Sequence, residues 1–234
     1  ALEISERLAE KYPDDPNLQR DLSVSYGNLG DIAKARNDYK AAEGYYAKAL
    51  EIHERLAEKY PDDPNLQRDL SVSYNKLGDI AKARNDYKAA EGYYSKALEI
   101  SERLAEKYPD DPNLQRDLSV SYGNLGDIAK ARNDYKAAEG YYAKALEIHE
   151  RLAEKYPDDP NLQRDLSVSY NKLGDIAEAR DDYKAAEGYY AKDLEIGERL
   201  AEKYPDDPNL QRDLSVSYNK LGDIAKARND YKAA

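Results

Sequence analysis

The sequence predicts an all-α solenoid of antiparallel helix hairpins, and three observations carry that expectation. A near copy of one segment returns every 48 residues, starting at Ala1, Ala49, Ala97, Ala145 and Asp193 with the last copy incomplete, so residues 1–234 read as a single array. Within each copy, apolar residues recur at intervals of three or four in two separate stretches, the spacing of amphipathic helices. All ten prolines fall in five YPDDP loops between those stretches. Stacked repeats of this kind bury on their neighbours the faces that no single repeat can cover.

In chain order, Leu2, Ile4, Leu8 and Tyr12 mark the second half of a helix whose first half is missing, and Pro13-Asp14-Asp15-Pro16 stops it. A residue before proline is pushed out of the helical region, and proline cannot donate to the preceding turn. The same four residues start the next helix, with Asp15 as N-cap and Pro16 at the first helical position. From Asn17 to about Arg36, the stripe Leu18, Leu22, Tyr26, Leu29 and Ala33, widened by Val24 and Ile32, predicts a helix of type A. Asn37 fits a left-handed C-terminal cap and Asp38 the next N-cap, so the turn is short and the following helix antiparallel. That helix, type B, runs from Tyr39 to about Tyr60 through Tyr39, Ala42, Tyr46, Ala49, Ile52, Leu56 and Tyr60, and ends at Pro61-Asp62-Asp63-Pro64. Continued alternation gives about ten helices, partial ones at the ends included.

Tyr26-Gly27-Asn28-Leu29-Gly30, followed by Ala42, Tyr46 and Ala49, resembles the tetratricopeptide repeat, with Tyr26 where that family has Trp and Ala33 where it has an aromatic. The resemblance covers every copy. It implies a right-handed superhelical solenoid in which Gly30 and the alanines allow close helix contact while Tyr46 fills the groove beside them. The period is 48 rather than about 34 residues. The additions lengthen helix A from Asn17 to Leu22 and helix B from about His53 to Tyr60. They fall at one end of the hairpin, where Leu18, Leu22, Leu56 and Tyr60 can meet.

Composition narrows the function. Cysteine is absent, which removes disulfides, thiolate metal sites and redox nucleophiles and leaves the chain compatible with a reducing cytosol. The net charge is −11 and no repeat is basic, so the clustered cations that displace counterions from phosphates are missing and no nucleic-acid partner is expected. No apolar run approaches membrane-spanning length. His53 and His149, the two histidines, stand where other copies have Ser5, Ser101 and Gly197, and a position that accepts three such different residues is expected to face solvent. The paired aspartates of the loops serve helix starts. Without a Gly-rich phosphate loop, a nucleophile elbow or zinc-like spacing, neither a cofactor nor enzymatic activity is expected. Tyrosine, 23 copies, is the entire aromatic content. Tyr26, Tyr39 and Tyr46 read as core, and of the adjacent Tyr45 and Tyr46 one must lie between repeats or at the surface.

The resemblance implies a concave surface lined mainly by A helices that holds an extended peptide or a partner helix. The stripe of helix A left free by packing is Asn17, Asp21, Val24, Gly27, Asn28, Asp31 and Lys34. The candidate peptide contacts are therefore Asn28, Asp31 and Lys34; Asn75, Lys76, Asp79 and Lys82; Asn124, Asp127 and Lys130; Asn171, Lys172 and Asp175; and Asn219, Lys220 and Asp223. A protein-interaction scaffold is the first functional expectation. The second is a structural or engineered array without a dedicated ligand. Residues 1–48 and 97–144 are identical, and the second and fourth copies differ only at Lys82/Glu178, Asn85/Asp181 and Ser95/Ala191, as recent duplication or gene construction would leave them. The chain begins partway through a B helix and ends at Asp230 to Ala234 as another starts. Leu214, Tyr218, Leu221 and Ala225 at one end and Leu2, Ile4 and Leu8 at the other then lack full cover. Unlike complementary patches predict weak head-to-tail self-association.

Overall fold

The computed structural model describes residues 2–228, and the chain divides into two compact units, Ala1–Ser121 and Tyr122–Ala234. The described residues form ten α-helices and no strand: α1 (Leu2–Lys11), α2 (Pro16–Ala35), α3 (Tyr39–Lys59), α4 (Pro64–Ala83), α5 (Tyr87–Lys107), α6 (Pro112–Ala131), α7 (Tyr135–Lys155), α8 (Pro160–Ala179), α9 (Tyr183–Lys203) and α10 (Pro208–Ala227). The boundary between the units falls inside α6. In the first unit, consecutive helices from α1 to α5 pack on one another; in the second, those from α7 to α10 do. The helix start expected at Asp230 lies outside the described residues.

Local chemistry sets the helix limits. Asp15 holds extended backbone and its carboxylate accepts from the Asn17 and Leu18 amides at 2.9 and 3.3 Å, and Asp63, Asp159 and Asp207 do the same at α4, α8 and α10. Proline follows at the first helical position, where no intrahelical donor is needed. At the other end of α2, Asn37 has φ 59°, the Asn37 amide donates to the Lys34 carbonyl and the Asp38 amide to the Ala33 carbonyl, both at 2.9 Å. That pair of bonds is a Schellman closure. Asp38 then caps α3 by accepting from the Ala41 amide at 3.0 Å.

One contact at the proline loops has no counterpart in the sequence reading. The Ala57 carbonyl would accept the amide of residue 61, but residue 61 is proline and has none. The buried Gln67 Nε2 supplies the missing donor at 2.9 Å, and Gln19, Gln115 and Gln163 do so for Ala9, Ala105 and Ala153 at 2.9–3.0 Å. Each loop is thereby tied to the helix after it.

The core is shared between successive hairpins. In the first unit, Ala33, Ala42 and Tyr46 of one hairpin pack with Leu77 and Ile80 of the next helix; in the second, Ala129, Ala138 and Tyr142 pack with Leu173 and Ile176. Tyr46 is buried and Tyr45 half-buried, Tyr45 lining two adjoining clusters, which resolves the Tyr-Tyr pair into one core residue and one that bridges clusters. Leu22, Leu56 and Tyr60 share a cluster as expected for the lengthened ends. Leu66, the repeat equivalent of Leu18, joins that same cluster, so this position faces back to the preceding hairpin. Gly30 lies under the Tyr46 ring so closely that an added Cβ would stand 2.3 Å from Tyr46 Cε1. Val24, which helical spacing sets on the edge of both the packed and the free stripe, falls on the free one. It and its equivalents Val72, Val120, Val168 and Val216 do not widen the packed stripe but remain 44–54% exposed.

Candidate functional site

The free face of the A helices is built from a valine, one helical turn of charge above it and two below. In the first unit, Arg20 of α2 grips Asp69 of α4 with two hydrogen bonds, Nε to Oδ2 at 2.5 Å and Nη2 to Oδ1 at 3.1 Å, and Arg68 of α4 grips Asp117 of α6 in the same way. On the other side of Val24 and Val72, Lys76 Nζ reaches Asp31 Oδ1 at 2.5 Å and Lys34 Nζ reaches Asp79 Oδ2 at 2.8 Å. The second unit repeats the pattern around Val168 and Val216. Arg164 pairs with Asp213 at 2.6 Å, Asp175 accepts from Lys130 at 2.7 Å and Lys220 at 2.8 Å, and Lys172 pairs with Asp127.

These pairs run between helices 45 or 49 residues apart. They are exposed enough that each contributes only about 0–1 kcal/mol to stability. Their larger effect is chemical, because the charges on this face cancel locally. Tyrosine hydroxyls complete the carboxylates: Tyr46 donates to Asp31 at 2.6 Å, Tyr94 to Asp79 at 2.8 Å, Tyr142 to Asp127 at 2.7 Å and Tyr190 to Asp175 at 2.9 Å. Burial alone would raise the carboxyl of Asp175, but the hydrogen bonds and charges of Lys130 and Lys220 outweigh it and hold that carboxyl below the usual range. The sequence-named lysines and aspartates are thus brought together, largely onto one another. Asn171 donates to Asp193 at 3.1 Å, Asp223 meets Lys226 on its own helix at 3.4 Å, Asn75, Lys82 and Asn124 are also engaged, and Asn28 and Asn219 stand exposed.

A second polar arrangement was missed, and it corrects the expectation for the histidines. His53 and His149 do not face solvent; they are 8% and 9% exposed. His53 Nε2 lies 2.7 Å from Ser23 Oγ of α2 and Nδ1 2.6 Å from Ser73 Oγ of α4, so the ring bridges the helices on either side of α3. Where the copy carries Ser101, that hydroxyl bridges Ser71 and Ser121 at 3.2 and 3.1 Å; His149 Nδ1 meets Ser169 at 2.7 Å. Where it carries Gly197, the alanine one turn earlier has become Asp193. This buried carboxylate accepts from Ser167, Ser217 and Asn171, the last two at 2.8 and 3.1 Å. Tolerance of His, Ser and Gly at one position reflects three ways of bridging two serines, not freedom at a surface. The Ser-Val-Ser-Tyr repeated in every A helix was the available signal, but it gains meaning only once the facing B position is known.

A family model described as tetratricopeptide repeat matches residues 21–103, 69–151 and 117–186, and another of the same description matches 166–209. No curated relative matches the chain. Among solved structures, BtubC (BKLC) from P. vanneervenii is similar with a TM-score of 0.76 and 28% identity, over 100% of this chain and 82% of that one. The apo form of RapI is similar in fold, with a TM-score of 0.69 and 15% identity over 99% of this chain, which spans 55% of the length of RapI.

Proposed function

Because the chain belongs to the tetratricopeptide repeat family, we propose that it is a protein-interaction scaffold whose A-helix face receives an extended peptide or a partner helix. The exposed valine at the same place in successive A helices carries this reading. An apolar residue kept on a face whose charges are otherwise paired is the part of that face with most to gain by being covered. Asn28 and Asn219 stand exposed one turn from Val24 and Val216 and would supply amide donors and acceptors for a bound backbone. Lys76, Lys172 and Lys220 are held by aspartates, so the apolar and amide groups rather than free cations would select the ligand.

The test is capture from a host lysate by the native chain and by a Val24→Glu/Val72→Glu/Val120→Glu variant. These substitutions are at exposed positions and should leave the helical signal unchanged. A partner retained at high salt by the native chain and lost by the variant supports the reading. Capture that is equal for both places the contact elsewhere. A blank across several lysates, with association that grows with concentration in sedimentation, favours the array that stacks end to end without a ligand.

A further inference from the structure

The His53 seam combines burial, full hydrogen bonding and a proton acceptor that ordinary pH changes reach. The ring's tautomer follows from its neighbours. Ser23 Oγ donates to the Arg20 carbonyl at 2.6 Å, so its oxygen is left to accept from His53, which places the proton on Nε2. Nδ1 then carries a lone pair and accepts the Ser73 hydroxyl at 2.6 Å. In this neutral form both ring nitrogens are satisfied, and α3 is clasped to α2 on one side and α4 on the other. We propose that His53 is an acid-sensitive latch: a proton gained at Nδ1 turns the bond to Ser73 around, places an unpaired charge in the buried seam and loosens α3 from α4.

The release follows from what surrounds the ring. With Nδ1 protonated, the Ser73 hydroxyl must turn away. Ser25, Ser121 and Ser217 show where it goes, since each donates to the carbonyl four residues earlier at 3.0–3.1 Å. For Ser73 that carbonyl belongs to Asp69. Ser73 Oγ is then left to accept from Nδ1–H, as Ser23 Oγ accepts from Nε2–H, so the bond is reversed and not lost; the cost is the new charge, which stays buried without a carboxylate of its own. The charged groups facing His53 are Asp69 of α4, which favours the proton, and Arg20 of α2, which opposes it; they are bound to each other at 2.5 Å. Burial is the largest influence and holds the imidazole below its ordinary value of about 6.5. The group is a base lowered on folding, so its contribution is whole above about pH 6.5 and is lost as pH falls below that value. The next seam has the Ser101 hydroxyl in place of an imidazole between its two serines and is the control within the molecule.

The experiment follows the His53 ring by NMR through pH 5–8 and compares amide hydrogen exchange at pH 7.5 and 5.5, corrected for intrinsic rate, in the native chain and in His53→Ser. Serine bridges the same pair of positions at residue 101, so the variant retains a seam. The expected result is titration of His53 below the ordinary histidine value, acid-induced opening in α3 and α4 beyond that around Ser101, and loss of that excess in His53→Ser. Titration at or above the ordinary value, or the same excess opening in the variant, overturns the proposal. If His53→Ser is too unstable to measure, the native chain decides: acid-induced opening around His53 no greater than that around Ser101 overturns the proposal.

Discussion

Substituting Gly78 by alanine tests the closest packing in the fold. The added Cβ would stand 2.5 Å from Tyr94 Cε1 and 2.7 Å from Cδ1, against the roughly 3.5–4.0 Å of comfortable carbon contacts. Tyr94 is fully buried and its hydroxyl is bound to Asp79 at 2.8 Å, so the ring cannot withdraw by about 1 Å without disturbing its surroundings. Overpacking of this kind costs about 1–3 kcal/mol. Stretching a hydrogen bond to a charged group puts part of a further 1.5–3 kcal/mol or so at stake. Alanine returns about 1 kcal/mol of helix propensity, leaving a net loss of roughly 2 kcal/mol. At Gly92 an added Cβ meets nothing within 4 Å, so Gly92→Ala should be neutral or stabilising by up to about 1 kcal/mol. Urea unfolding followed by helical circular dichroism would compare the two variants, provided their slopes agree, because repeat arrays depart readily from two-state behaviour. Equal effects at the two glycines would refute the reasoning. So would strict additivity of Gly78→Ala with Tyr94→Leu, since residues in contact should couple by at least about 0.5 kcal/mol.

Three other outcomes follow. Burial first, and then the charges of Asp31 and Asp127 and the hydrogen bonds to them, raise the phenols of Tyr46 and Tyr142 well above the ordinary value of about 10. Their contribution is therefore intact below pH 10 and lost above it, and absorbance at the phenolate band should rise in two phases, exposed tyrosines first and buried ones only with loss of helix. A single smooth phase with helix intact would contradict this. Asp63→Ala should destabilise by about 1 kcal/mol through loss of the α4 cap, whereas Asp63→Asn should be nearly neutral, as read from denaturant midpoints. Asn85, at φ 61°, closes α4 in the left-handed region; Asn85→Ala should destabilise by about 1–2 kcal/mol and Asn85→Gly should not, and equal melting of the two variants would count against a conformational cause.

The sequence by itself determined the local architecture. Helix limits, caps, the left-handed Asn37, the antiparallel hairpin and the role of Gly30 beside Tyr46 all depend on residues within about one turn of each other or on a pattern repeated in every copy. The face carrying Asn28, Asp31 and Lys34 was legible for the same reason, since helical spacing assigns residues to faces. What occupies those residues was decided only in three dimensions. Lys76 finds Asp31 and Arg20 finds Asp69 across 45 and 49 residues of chain, because stacking sets one A helix beside the next. Gln67 answers a carbonyl that Pro61 leaves without a donor, a need visible only when the loop has folded back. The histidines show the limit most clearly. Read along the chain, His, Ser and Gly at one position suggest indifference; in the fold, Ser23 and Ser73 converge on that position from two neighbouring helices, and the buried imidazole finds a partner for each ring nitrogen there.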